Sequence, residues 1–193
     1  MISDTKVVAI GGGTGLSTML KGLKLHTHNI TAVVTVADDG GSSGILRSDL
    51  GMLAPGDVRN CVSALAEVDP VMGELLNFRF KDGSLKGHSL GNLFLAALNE
   101  TSSSFDEAVK KFSHLTGVVG TVYPVTNESV TLSALLEDGR LIEGESHIGV
   151  HHDGPKNGIV KLMVNPEKPK AVDGVIMALE KADIIVLGPG SLY

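Results

Sequence analysis

Apolar positions along this chain follow two periods, and the switches between them fall at glycines. Val7-Val8-Ala9-Ile10 is a continuous apolar run of the kind a strand buried on both faces requires, so a parallel strand is predicted over 6–10. The run collapses into Gly11-Gly12-Gly13-Thr14-Gly15, after which Leu16, Met19, Leu20 and Leu23 recur at helical spacing with Lys21 and Lys24 turned outward. Ile30 to Val36 is a second, β-branched run, bounded by His28-Asn29 before it and Asp38-Asp39-Gly40-Gly41 after it. Strand, short helix and strand make a right-handed crossover unit, which places ligands at the carboxyl ends of its strands. Both glycine clusters lie at that edge.

Between Gly44 and Leu98 the pattern is helical and interrupted. Pro55-Gly56 breaks it, Asp57 is positioned to cap a helix over 58–65, and Asp69-Pro70 opens another with proline at its first position. His88-Ser89-Leu90-Gly91-Asn92 leads into 93–98, and Ser104-Phe105-Asp106-Glu107 has capping-box spacing for a helix ending near Leu115 and Gly117. Extended runs follow at 118–125 and 130–136. Glu137-Asp138-Gly139-Arg140 reads as a hairpin into a strand over 141–146, which makes this section antiparallel in character. A polar loop over 147–157, a strand over 159–164 and a helix over 172–182 lead to a last strand, 184–187, running into Gly188-Pro189-Gly190-Ser191. A buried parallel strand followed by such a loop calls for a covering helix, so the fold is expected to continue past Tyr193. The expected organisation is one α/β domain over 1–193 with a β-rich hairpin section at 118–164.

Composition then narrows the function classes. The 193 residues, 42% of them hydrophobic, suffice for one ordinary core. A net charge of −6 with 16 Lys+Arg and 4% aromatic residues supplies neither a basic stripe nor a stacking platform, so nucleic acid is not an expected partner. Cys61 is the only cysteine, which rules out an intrachain disulfide. No apolar run is long enough for a membrane span or a secretion signal, which points to a cytoplasmic protein. A homodimer is compatible with the sequence, which leaves the oligomeric state open.

Gly11 to Gly15 strips Cβ atoms from a strand-to-helix turn, so backbone N–H groups can approach an anion while the following helix points its positive end the same way. Leu16 stands where a G-x-G-x-x-G fingerprint has its third glycine, and the Lys-Ser/Thr of a P-loop is missing. The loop therefore suits a phosphate-bearing ligand without naming it. Thr14 can donate to a phosphate oxygen or cap the helix. Asp38 and Asp39 can hold Mg²⁺ against a diphosphate, accept from sugar hydroxyls, or simply cap an acidic turn. The residues around Ser42 also spell G-x-S-x-G, the nucleophile elbow of esterases, although that elbow comes late in a large sheet and needs a later Asp and His in fixed relation. Arg59, between Asp57 and Asn60, can fork onto a phosphate or carboxylate, or pair with Asp57 at the surface. His88 and Asn92, four apart, can share a helix face toward one ligand or serve structure alone. His147, His151, His152 and Asp153 form the one histidine-rich patch, which without Cys or helical spacing reads as a surface loop rather than a metal site. Cys61 reads as a packed thiol.

Taken together, Gly-Gly-Gly-Thr-Gly at 11–15, Ala-Asp-Asp-Gly-Gly-Ser-Ser-Gly at 37–44, Pro-Gly-Asp-Val-Arg-Asn at 55–60, Gly-His-Ser-Leu-Gly-Asn at 87–92 and Gly-Pro-Gly-Ser-Leu-Tyr at 188–193 resemble the YvcK-like gluconeogenesis factors. These are relatives of the CofD-type 2-phospho-L-lactate transferases of deazaflavin cofactor synthesis. The resemblance implies a Rossmann-like, mostly parallel sheet with flanking helices and an antiparallel hairpin insertion, of which this chain is a fragment. By matching position it implies that Gly12, Gly13, Thr14, Gly15, Ser42, Ser43, Gly188, Gly190 and Ser191 surround phosphate. It likewise implies that Asp57, Arg59, Asn60, His88 and Asn92 line the remaining wall and that Asp38 and Asp39 face the cleft as Mg²⁺ or sugar ligands. In the transferase branch the acidic pair supports Mg²⁺ and transfer of a phospholactyl-type group to a deazaflavin alcohol. The Gly-Gly-Ser-Ser-Gly after Asp39 is instead the gluconeogenesis-factor form, which implies a cytoplasmic UDP-sugar-binding regulator of carbon flux to cell-wall precursors and cell shape.

Overall fold

The computed structural model describes residues 3–149 and 157–189. The first apolar run forms β1 (Val7–Gly11), the helical pattern after it α1 (Gly13–Leu23), and the second run β2 (Ile30–Val34). Four further helices, α2 (Gly41–Leu50), α3 (Gly56–Leu65), α4 (Pro70–Asn77) and α5 (Leu90–Glu100), occupy the stretch read as helical and interrupted. Then come α6 (Phe105–Leu115), β3 (Thr121–Pro124), β4 (Thr131–Leu136), β5 (Leu141–Glu143), α7 (Glu145–Gly149), β6 (Ile159–Asn165), α8 (Asp173–Lys181) and β7 (Ile184–Leu187).

The main sheet has the order β3-β2-β1-β7, and every pairing in it is parallel. Val7 pairs with Ile30 on one side and Ile184 on the other, so β1 sits at the centre. Helices cover both faces, as a parallel sheet demands. On one face Ala9, Ala32 and Val34 join Leu16 and Leu20 of α1, Val58 and Leu65 of α3, and Phe112 of α6 in the main core. On the other, Val8 and Val33 pack against Val172 and Val175 at the start of α8. A smaller antiparallel sheet, β5-β4-β6, stands beside the main one. Arg47 of α2 ties the two together by donating to Ala37 O, Ser129 Oγ and Val130 O.

Several boundaries differ from the sequence reading. The run at 118–125 contributes only β3, which pairs in parallel with β2 and belongs to the main sheet, because Thr121–Pro124 finds its partner about 90 residues upstream rather than in the next strand. Helix α2 begins at Gly41, so Ser42 and Ser43 lie in its first turn instead of in a loop. Strand β5 stops at Glu143, and the polar stretch that follows opens with the short helix α7. Asp57 does not cap α3. The N-cap is Pro55 and Asp57 lies one residue inside the helix start at Gly56, which leaves its side chain free to face the neighbouring loop.

Candidate functional site

The chain crosses from β1 through α1 to β2 on one side and returns to β7 on the other, so the strand order reverses between β1 and β7. In an open parallel sheet that switch point is where loops part and a ligand fits. Here the loop after β1 and the loop after β7 press against each other: a Cβ at Gly15 would lie 2.6 Å from the Pro189 carbonyl oxygen. Gly188 N–H donates to Ile10 O at 2.7 Å and fixes the second loop to the first strand. Gly13 has φ +62°, a left-handed conformation that costs glycine least.

Three helix starts converge on this point. Helix α1 is preceded by Gly12 and α2 by Gly40, and neither glycine can offer a capping oxygen; Pro55 before α3 offers none either. A Cβ at Gly12 would fall 2.6 Å from Asp57 Oδ2, so α3 begins directly beside α1. Gly56 N–H donates to Ser43 Oγ at 3.2 Å, which joins α3 to α2.

Around these starts lies a cavity of about 700 Å³. Gly12 to Gly15, Thr35, Asp38, Asp57 and Pro189 form its polar wall, while Leu132 and Leu162 of the small sheet and Glu145, Ile148 and Gly149 of α7 form the facing wall. The wall's carboxyl groups are under strain as charges. Burial pushes the Asp57 carboxyl above its ordinary value, with the Gly13 N–H drawing it back and the Asp38 charge raising it again. Burial also raises Glu145, reinforced by the charges of Asp38, Asp39 and Asp57. Negative charge thus accumulates opposite an array of positive helix ends, an arrangement that suits a phosphate only with a cation between.

Asp38 lines the cavity, with Oδ1 also accepting from Gly40 N–H at 2.9 Å. Asp39 is not among the lining residues. Its Oδ1 accepts the Ser146 N–H at 2.8 Å and so anchors α7, the far wall, to the loop after β2.

The other predicted residues assemble behind this wall. Ser42 Oγ lies 2.9 Å from His88 Nδ1 and accepts from Asn92 Nδ2 at 3.1 Å. Asn92 Oδ1 in turn accepts from Arg59 Nε at 3.3 Å, and Asn77 Oδ1 accepts from Arg59 Nη1 at 2.8 Å. All of Ser42, Ser43, Arg59, His88 and Asn92 are buried, and none lines the cavity. His88 and Asn92 meet at Ser42 rather than along one helix face, since His88 precedes the Ser89 cap of α5. A nucleophile elbow is excluded: Ser42 is 7% exposed, its oxygen is already engaged by Asn92, and β2 ends at Val34, well before it. Asn60 sits half-buried on α3, and Gly190 and Ser191 lie outside the described residues. Of the histidine patch, His147 is exposed on α7 with Nδ1 2.8 Å from Glu143 O, while His151, His152 and Asp153 lie outside the described residues. Burial pushes the Cys61 thiol up to about 12, so it is inert. Thr35, Leu132, Glu145, Ile148, Gly149 and Leu162 are cavity residues that no motif announced. Gly144, just before α7, has a φ of +96° that places α7 against Asp39, and it is the local signal for this wall.

Fold and cavity together define a Rossmann-like α/β protein with a cavity at the strand switch point. The chain belongs to the family described as 2-phospho-L-lactate transferase CofD, whose profile matches residues 7–193. A putative gluconeogenesis factor from Clostridium acetobutylicum is 53% identical over 193 residues, which is 100% of this chain and 43% of the relative. The gluconeogenesis factor of Bacillus subtilis is 47% identical over 191 residues, 97% of this chain and 58% of its own length. A crystal structure of a Bacillus halodurans protein of the UPF0052 family superposes with a TM-score of 0.91 at 44% identity, covering 99% of this chain and 61% of that one. The chain thus spans about half the length of the curated relatives it matches.

Proposed function

We propose that the cavity binds a nucleotide sugar of the UDP-sugar type, and that the protein acts in the cytoplasm as a gluconeogenesis factor, a non-catalytic regulator of carbon flux to cell-wall precursors and cell shape. The observation that carries this reading is the meeting of the uncapped α1 start with the Gly188-Pro189 loop at the strand switch point, since both present backbone to the same space. In this reading the diphosphate lies on Gly12 to Gly15, with Thr14 donating from the rim. The facing wall of Leu132, Ile148 and Leu162 receives the less polar end of the ligand.

Mg²⁺ fits this site in a particular way. Among the described residues no group of three or more His, Cys, Asp or Glu is arranged to hold a metal by itself. Mg²⁺ is commonly held by one or two carboxylates plus phosphate oxygens and water, and Asp38, on the cavity wall beside the glycine loop, supplies the first of these. Its role would be to neutralise the diphosphate against Asp38, Asp57 and Glu145. Isothermal titration of the full-length protein with UDP-N-acetylglucosamine and UDP-glucose in the presence of Mg²⁺ is expected to give saturable binding of at least one. No binding of either would overturn the reading.

A second reading, a Mg²⁺-dependent transferase acting on a nucleotide-activated small acid and a deazaflavin alcohol, is favoured by one observation. The Asp57 carboxyl lines the cavity beside the glycine loop, and burial holds it above its ordinary value, a combination that suits an acid–base group. Incubation of donor, deazaflavin alcohol and Mg²⁺ followed by mass analysis decides it, since absence of the transferred product removes this reading.

A further inference from the structure

Asp38 and Asp39 are neighbours in the loop after β2, yet their carboxylates go to different places: Asp38 lines the cavity, and Asp39 reaches α7. Two glycines, Gly44 and Gly144, make room for Asp39. On its main-chain side a Cβ at Gly44 would lie 2.1 Å from Asp39 O and 2.7 Å from its carbonyl carbon, so this peptide is seated directly on the first turn of α2. The backbone of Asp39 cannot shift that way. On its side-chain side a Cβ at Gly144 would lie 2.4 Å from Asp39 Oδ2, so that oxygen rests against the turn that opens α7, while Oδ1 accepts the Ser146 N–H at 2.8 Å. Ser146 N–H belongs to the first turn of α7, where no intrahelical carbonyl can satisfy it. Gly144 N–H in turn donates to Leu132 O at 2.8 Å, which ties the same turn to β4.

Helix α7 carries Glu145 and Ile148, which line the cavity opposite the glycine loop. The first turn of α2, the Asp39 peptide, its carboxylate and the turn at Gly144 are thus in contact one after another, and this chain of contacts fixes how far α7 stands from the strand ends. We infer that Asp39 is a positioning residue that sets the width of the cavity: it touches no ligand, and its carboxylate holds α7 at the spacing that receives the far end of a nucleotide sugar. The identity of that ligand rests on the nucleotide-sugar reading. The clamp needs an acceptor oxygen and not a charge, so an amide at position 39 can replace it, whereas a Mg²⁺ ligand there would need the carboxylate.

Amide hydrogen exchange on the ligand-free full-length protein, and titration of it with UDP-N-acetylglucosamine and Mg²⁺, test this with Asp39→Ala and Asp39→Asn. Asp39→Ala should speed exchange at Ser146 and Ile148 at least about tenfold, the worth of one charge-assisted hydrogen bond, with Asp39→Asn much nearer the parent. In the titration Asp39→Ala should bind at least about tenfold more weakly, and Asp39→Asn within roughly threefold of the parent. Gly144→Ala, which crowds the same carboxylate from the α7 side and strains a φ of +96°, should loosen α7 likewise and stands in where melting shows Asp39→Ala to be unfolded. Unchanged exchange at Ser146 in Asp39→Ala, or binding lost equally in Asp39→Ala and Asp39→Asn, would overturn the assignment. A parent that binds no UDP-sugar overturns the nucleotide-sugar reading instead, and exchange at α7 still decides whether Asp39 sets this wall.

Discussion

The six helices α1 to α6 fall into two groups by the way they begin. Asp69 accepts from Val71 N–H at 2.9 Å to cap α4, Ser89 accepts from Asn92 N–H at 3.2 Å to cap α5, and Ser104 accepts from Glu107 N–H at 3.4 Å to cap α6. Helices α1, α2 and α3 have glycine, glycine and proline in that place and no side-chain cap. Helix α8 also lacks one, but it starts beside the edge strand, with Val172 N–H on Val125 O. A cap contributes stability by satisfying orphan N–H groups. Three neighbouring helices that forgo it, at the strand switch point, leave those groups to a ligand or to each other. The remote helices are finished by their own sequence, whereas at the site the start of α1 meets Asp57 at Gly13 alone and that of α3 meets Ser43 at Gly56 alone.

The sharpest way to break this contrast is to force the loops apart. Gly15→Val drives a branched side chain into the Pro189 carbonyl, and overpacking of this kind costs about 1–3 kcal/mol. Binding of a UDP-sugar should fall by on the order of tenfold or more, about 1.4 kcal/mol, as read by titration. If affinity stays at the wild-type level, the two loops do not share a ligand.

A matched pair of smaller changes sharpens the contrast. Ser104→Ala removes a true cap, so it should cost roughly 1 kcal/mol and lower the melting temperature by about 2–4 °C with ligand binding intact. Thr14→Ala, at an exposed position on the cavity rim, should do the reverse, leaving melting alone and weakening binding by on the order of 1 kcal/mol. Equal effects of the two on stability would erase the distinction.

The smallest expected effect is electrostatic. An acid whose folded value is raised holds its proton more tightly folded than unfolded, so stability falls as pH rises from 3.8 through the folded value of Asp57. Asp57→Asn should therefore melt above the parent near neutral pH, with the gap closing as pH drops toward about 4, the ordinary carboxylate value. Thermal melts over that range check the sign. A variant less stable than the parent at neutral pH would mean that the charge itself braces the Gly13 loop.

How legible each region was follows from the range of its interactions. Residues 6–36 could be read directly, because strand burial, the glycine turn and the helix period are all local. The capping box of α6 was legible too, although Glu107 reaches back to Ser103 N–H rather than to Ser104. Asp57 resisted, because an Asp after Pro-Gly is a cap by every local rule and only the approach of Gly12 shows it turned to the cavity. The far wall was invisible for the same reason. Glu145 and Ile148 reach the site through the Asp39–Ser146 bond, which spans 107 residues. The Arg59, His88 and Asn92 motifs were read as one wall of the cleft, and spacing could not reveal that they join one another through Ser42 and Asn92, behind the cavity.

The central claim is that the uncapped start of α1 receives a diphosphate. Amide NMR of the full-length protein titrated with UDP-N-acetylglucosamine and Mg²⁺ tests it most directly. The account predicts that the largest shifts fall on Gly13, Thr14 and Gly15, with the capped starts of α4 and α6 unmoved. Saturable binding with Gly13 to Gly15 undisturbed would contradict it.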